Sequence, residues 1–303
     1  MNINQRAIES LEENEYEDAL DLFQEAVEES RDVQSLNNFA WMYSNEEHEY
    51  MKAAILLEEA MKLNPTSYFP YSLLGEIYIR IKKWDEAKEM LEAAINIQPT
   101  KTTYHNLAIV NYHFRDFESA AKHFLLASGD SDCSMYGYVK CLIELGKVDE
   151  AKNRLDTFSE DDEDFVGEIE VADLYVELGC YKEAIEWFKK GWVSAWEEIS
   201  WVSRYVYSLL ELGDLTTVHE VLKEVNEIKI ADIKEVRDNE DDVWTESEKQ
   251  EKIIELMNEK KAYEQLLENM TDGVVPAMEF DIEVQEDCYL FGCVRHNHPE
   301  YQD

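Results

Sequence analysis

Four residues near the end of the chain carry the donor types of a metal site. Cys288, Cys293, His296 and His298 follow one another as C-x4-C-x2-H-x-H. Two thiolates and two imidazoles could close a tetrahedral zinc site. The spacing is not a common zinc pattern, and ligands two apart in His296-Asn297-His298 strain that geometry. Two core-facing cysteines followed by a polar end are the simpler reading, so no metal and no cofactor are assigned. The full set of cysteines, Cys133, Cys141, Cys180, Cys288 and Cys293, forms no even framework and reads as reduced thiols. Catalytic patterns are lacking: there is no glycine-rich phosphate loop, nucleophile elbow or H-E-x-x-H. Acid pairs such as Asp161 and Asp162 carry no information in a chain with 68 acidic residues. His105 and His113, near two helical turns apart, are too distant to share a metal on one helix. A non-enzymatic protein is expected, with metal binding or catalysis by the tail as the rival reading.

The balance of 28 basic against 68 acidic residues, net −40, sets free nucleic acid and anionic membrane surfaces aside as direct ligands. It favours a basic protein partner, although acidic runs are most simply solvated helix faces. Apolar content of 45% and aromatic content of 12% indicate a folded chain. No apolar run reaches the length of a membrane span. The first twenty residues lack the basic and apolar regions of a signal peptide, so a cytoplasmic location is expected.

The elements that must position these residues show a period. Ala19, Ala53, Ala87, Ala120, Ala151, Ala184 and Val218 are separated by 34, 34, 33, 31, 33 and 34 residues. The best-kept copy is Tyr71 to Pro99, with Tyr71, Leu74, Gly75, Tyr78, Trp84, Ala87, Leu91, Ala94 and Pro99. Small residues at Gly75 and Ala87 suit a close approach of two antiparallel helices, and Pro99 ends the second. This pattern resembles the tetratricopeptide repeat, a helix-turn-helix unit of about 34 residues. The resemblance covers roughly residues 1–226. It implies an all-α, right-handed superhelical solenoid of about seven repeats, the first atypical. One extra residue is expected in the turn of the second unit, and a tight turn at the end of the fourth. Leu145-Gly146, Leu178-Gly179 and Leu212-Gly213 each end a first helix.

Residues 227–270 read as a charged connector and a capping helix, with Thr245 and Glu248 as a capping box. Residues 271–303 form a tail. The alternation in MEFDIEV, 278–284, followed by CYLFGCV, is compatible with a small β-hairpin that must pack on the helices or on a partner.

The family's register also implies a concave groove lined by first helices. Its residues here are Asn37, Asn38 and Trp41; Phe69, Glu76 and Arg80; His105, Asn106, Tyr112 and His113; Tyr136, Lys140 and Glu144; Glu170, Asp173 and Glu177; and Arg204, Tyr207 and Glu211. Amides can satisfy the backbone of an extended peptide, and aromatics offer contact area at low entropy cost. The expected function is a protein-interaction scaffold with a basic protein or peptide in this groove. Narrower versions are an immunity- or antitoxin-type neutraliser, a general adaptor, and an acidic mimic of nucleic acid.

Overall fold

The computed structural model describes residues 2–129, 132–162, 164–192, 198–238 and 244–302. Residues 130–131, within the tight turn expected at the end of the fourth repeat, residue 163 and residues 239–243 of the connector lie outside the described residues. Helix dominates, and among the described residues there is no strand.

The helices alternate in role. First helices are α1 (Ile3–Glu12), α3 (Val33–Asn45), α5 (Phe69–Arg80), α7 (Lys101–His113), α9 (Asp132–Glu144), α11 (Glu168–Glu177) and α13 (Ile199–Glu211). Second helices are α2 (Tyr16–Glu29), α4 (Tyr50–Met61), α6 (Trp84–Ile97), α8 (Phe117–Ser128), α10 (Val148–Leu155), α12 (Tyr181–Lys190) and α14 (Leu215–Asp238). A last helix, α15, spans Glu246–Thr271. Every second helix begins three residues before its register residue. All seven register residues are fully buried. The period therefore marks the points where no side chain larger than valine fits between packed helices.

The turn before each second helix has one geometry. Asn14, His48, Lys82, Arg115, Gly146, Gly179 and Gly213 all have positive φ, between 54° and 75°. Each lies two residues before the next helix. The following amide closes the turn, as in Lys83 N to Tyr78 O at 2.8 Å and Cys180 N to Tyr175 O at 2.9 Å. In the second repeat the closing bond is Glu49 N to Tyr43 O at 2.8 Å, one residue longer, which is where the extra residue is absorbed.

The chain divides into two compact units, Met1–Leu145 with Ile282–Asp303, and Gly146–Asp281. In the first unit the core runs from Ala7 and Ile8 through Phe39, Phe69, Leu73 and Leu91 to Val110. It also takes in Tyr289, Leu290, Phe291 and Cys293 of the tail. In the second unit α14 continues without a break past residue 226, where the repeat pattern fades in the sequence. It packs on α15 through Ile233, Ile253 and Leu256. Buried Lys229 on α14 pairs with Glu259 on α15 at 2.9 Å. The capping box at Thr245 is present, with Thr245 N donating to Glu248 Oε2 at 2.7 Å.

The tail departs from the hairpin expectation. Residues 274–290 have no regular secondary structure and pair with no strand, and turns lie at 291–292 and 294–297. Alternating apolar residues report extended backbone, not the identity of its partner. Here that partner is a row of side chains.

Candidate functional site: a groove holding an extended segment

Within the first unit the tail crosses the first helices in reverse order, from α9 back to α1. Ile282 passes over Gly137 on α9, where an added Cβ would come within 2.7 Å of its Cδ1. On α7, His105 Nε2 meets the Glu283 carbonyl at 3.0 Å. Asn106 donates to Gln285 O at 2.8 Å and accepts from Gln285 N at 3.0 Å. Arg80, at the end of α5, pairs with Glu286. On α3, Trp41 Nε1 reaches Asp287 O at 3.4 Å and Asn37 Nδ2 donates to Tyr289 O at 2.7 Å. Asn38 donates to Phe291 O at 3.0 Å and accepts from Phe291 N at 2.9 Å. Arg295 N then lies 3.4 Å from Glu12 Oε1 on α1.

Every backbone carbonyl held this way belongs to an odd-numbered residue: 283, 285, 287, 289 and 291. In an extended chain the N–H and C=O of one residue point to the same side, and alternate residues share an edge. The groove thus replaces a neighbouring strand by carboxamides, an imidazole and an indole. An asparagine amide presents one donor and one acceptor with the spacing of a peptide group. Asn38 and Asn106 use both.

Buried side chains fix the register. Tyr289 is fully buried and Leu290 and Phe291 nearly so. Phe69 packs on Tyr289, Phe291 and His298, with ring centroids 5.8, 4.9 and 4.8 Å away. Removing three such side chains from water stabilises the docked state by about 1.5–3 kcal/mol each. The Tyr289 hydroxyl donates to Glu76 Oε1 at 2.5 Å, and Asn106 Nδ2 approaches the same oxygen at 3.3 Å. Burial pushes the Glu76 carboxyl well above the usual range, opposed by the tyrosine hydrogen bond, and pushes Tyr289 up as well. Burial lowers His105 to about 4, opposed by its bond to Glu283. The neutral imidazole donates from Nε2 to that carbonyl, and its Nδ1 accepts from Ser134 Oγ at 2.8 Å.

The other groove candidates make contacts of their own. His113 is exposed and stacks on Trp84 of α6 at 4.0 Å, and half-buried Tyr112 packs on Phe117 of α8 at 5.3 Å. Tyr136 is buried in α9, and buried Lys140 pairs with Glu144 at 3.0 Å. In the second unit Tyr207 packs edge-on to Tyr181 at 5.9 Å. Arg204 is a hub there. Its Nε is 2.6 Å from Asp173 Oδ1. Its two terminal nitrogens reach Glu177 Oε1 at 3.0 Å and Pro276 O at 3.0 Å. Burial pushes Asp173 up to about 6, against the pull of Arg204.

Comparison with known proteins agrees with this architecture. Residues 45–108 match the model of the tetratricopeptide repeat family. Over those residues the chain carries the tetratricopeptide repeat, and its fold is that of a repeat solenoid. Among solved structures, a tetratricopeptide repeat protein from Parabacteroides merdae is 17% identical, covering 75% of this chain and 99% of that one, with a TM-score of 0.52. PilF of Pseudomonas aeruginosa is 13% identical, covering 65% and 91%, with a TM-score of 0.51. At these identities the likeness is one of fold. No curated protein matches the sequence.

Several contacts of this repeat protein were not marked by the sequence. Gln34 accepts from Tyr301 N at 3.0 Å, and Thr66 N donates to the Tyr301 hydroxyl at 3.0 Å. Gly137 and Ser134 on α9 also serve the tail or its holder His105. Gly137 was the available signal: a glycine inside a helix marks a close approach of another group, here the Ile282 side chain.

Proposed function

We propose that this protein is a non-catalytic protein-interaction scaffold whose first-unit groove binds extended peptide through its backbone, and that its own tail is the resident ligand with which a partner segment competes. The carrying observation is the pair of two-point asparagine clamps, Asn38 on Phe291 and Asn106 on Gln285, set on one edge of a single extended chain. Backbone clamps are indifferent to side-chain charge. The segment they hold includes Glu283, Glu286 and Asp287, so the groove itself does not require a basic ligand. A basic partner is favoured by the net charge of −40 acting over the outer surface, which speeds encounter more than it deepens affinity. Capture of a basic toxin by an immunity- or antitoxin-type protein is the narrower form of this reading.

The test compares three full-length proteins as bait: wild type, a tail-released Tyr289→Ala/Phe291→Ala variant, and that variant with Asn38→Ala and Asn106→Ala added. A groove partner is recovered more strongly by the tail-released protein and lost from the third. Equal recovery by all three places partner binding outside this groove and overturns the proposal.

A further inference from the structure

The hook that ends the tail gathers three donor atoms of the kind that hold a transition metal. One ligand atom each from Cys288, Cys293 and His296 lies within 4.8 Å of the others. Cys293 Sγ is 3.3 Å from His296 Nδ1. Tetrahedral zinc, with bonds of about 2.3 Å to sulfur and about 2.0 Å to nitrogen, spaces its donors by roughly 3.5–3.8 Å. Small side-chain rotations therefore suffice to coordinate an ion.

Separate backbone restraints carry each ligand to this point. Cys288 precedes Tyr289, whose carbonyl is tied to Asn37. Cys293 follows Gly292, where φ is +83° and the chain reverses. His296 sits in a turn closed by Asn297 N to Val294 O at 3.1 Å and by His298 N to Cys293 O at 2.9 Å. This turn resolves the difficulty of having two histidines close in sequence, because only one is used. His298 is engaged elsewhere, with Nδ1 3.1 Å from Leu290 O and its ring against Phe69.

All three ligands line a cavity of about 410 Å³, together with Glu12, Glu286 and Asp287 among others. Magnesium and calcium prefer all-oxygen shells, whereas two thiols and an imidazole suit zinc. We propose that Cys288, Cys293 and His296 form a zinc site whose fourth position opens into this cavity. As the ion binds, each thiol gives its proton to solvent and a thiolate–zinc bond forms. The ion closes a loop around Tyr289-Leu290-Phe291, the part of the tail most deeply seated in the groove. Metal binding requires only the hook, so it stands or falls independently of any groove partner.

Reduced full-length protein, stripped by a chelator, is titrated with cobalt(II) and then with zinc. The expected result is one equivalent of cobalt, with the visible bands of a tetrahedral ion and thiolate-to-metal charge transfer, displaced by zinc. Cys293 is buried, so its replacement can disturb folding; His296 is exposed and Cys288 half-buried, which makes them the cleaner positions. His296→Ala and Cys288→Ser should each weaken binding at least about tenfold, while His298→Ala leaves metal affinity unchanged. Reduced protein that takes up no cobalt overturns the proposal, as does wild-type affinity in Cys288→Ser. Recovery of a Cys288–Cys293 disulfide as the resident form after acid trapping of thiols in cells would also overturn it.

Discussion

The two units hold the C-terminal segment by different chemistry. In the first, neutral groups at His105, Asn106, Trp41, Asn37 and Asn38 take the backbone at every second residue. In the second, one buried guanidinium, Arg204, serves two carboxylates and the Pro276 carbonyl. A row of amides can grip a length of chain without burying charge. A buried arginine gives one strong point and leaves its acids dependent on it. The units also turn differently. The left-handed turn residues are Asn14, His48, Lys82 and Arg115 in the first unit and Gly146, Gly179 and Gly213 in the second.

The largest expected effect lies at Arg204. Its side chain is 1% exposed and that of Asp173 only 5%. Arg204→Met leaves Asp173 buried and unpaired and should cost about 3–5 kcal/mol, read by chemical denaturation. Adding Asp173→Asn should recover part of this. A loss below about 1 kcal/mol would mean that the hub contributes no more than one neutral clamp.

Asn38→Ala is the matching cut in the first unit. It leaves both N–H and C=O of Phe291 without their partners in a buried site, at about 1–3 kcal/mol. The tail is held at several other points, so the loss should concentrate there. Amide hydrogen exchange is expected to speed at Phe291 and its neighbours well before the helices α1 to α8 open. Uniform acceleration through the first unit would show that the tail is core and not a docked ligand.

Acid should separate the units further. His105 is neutral in the folded groove, with its pKa lowered to about 4. The unfolded chain takes up a proton as pH falls below about 6.5 and the folded chain does not. Stability from this residue is therefore complete above 6.5 and lost as pH falls toward 4, by up to about 3 kcal/mol. Glu76 acts in the opposite sense, because burial raises its pKa and acid favours its folded form. The measurement thus belongs in a Glu76→Gln background. There, His105→Gln should flatten the acid limb of the first unit's melting curve. A limb unchanged by that substitution would assign it to other carboxylates of the first unit.

How far these contacts were legible differs by residue. The helix pairs follow from small residues at a fixed period, since only close packing demands Ala19 through Val218 at those points. The amides at Asn37, Asn38 and Asn106 were legible as backbone readers, because asparagine is costly on a helix unless its side chain is used. Their ligand was not. An alternating segment such as 278–284 shows only that it is extended, and it is equally consistent with a paired strand. Tyr112 and His113 are a different case. Helical register gave their face but not their packing on Phe117 and Trp84 from neighbouring second helices. The three-donor cluster was legible in composition but not in membership, because the turn at 294–297 selects His296 over His298.

The smallest expected effect tests the turn half of the comparison. Lys82 is exposed, and a left-handed conformation costs a side-chain-bearing residue about 1–2 kcal/mol. Glycine removes that cost but adds unfolded-state entropy of about 0.5–1 kcal/mol. Lys82→Gly should therefore stabilise the first unit by about 0.5–1 kcal/mol. Gly146→Ala should destabilise the second by a similar amount through φ alone, because nothing lies within 4 Å of an added Cβ there. If instead Lys82→Gly is destabilising, its alkyl chain must support the turn in a way glycine cannot. The two units would then have reached the same turn by different routes, one through backbone freedom and the other through side-chain packing.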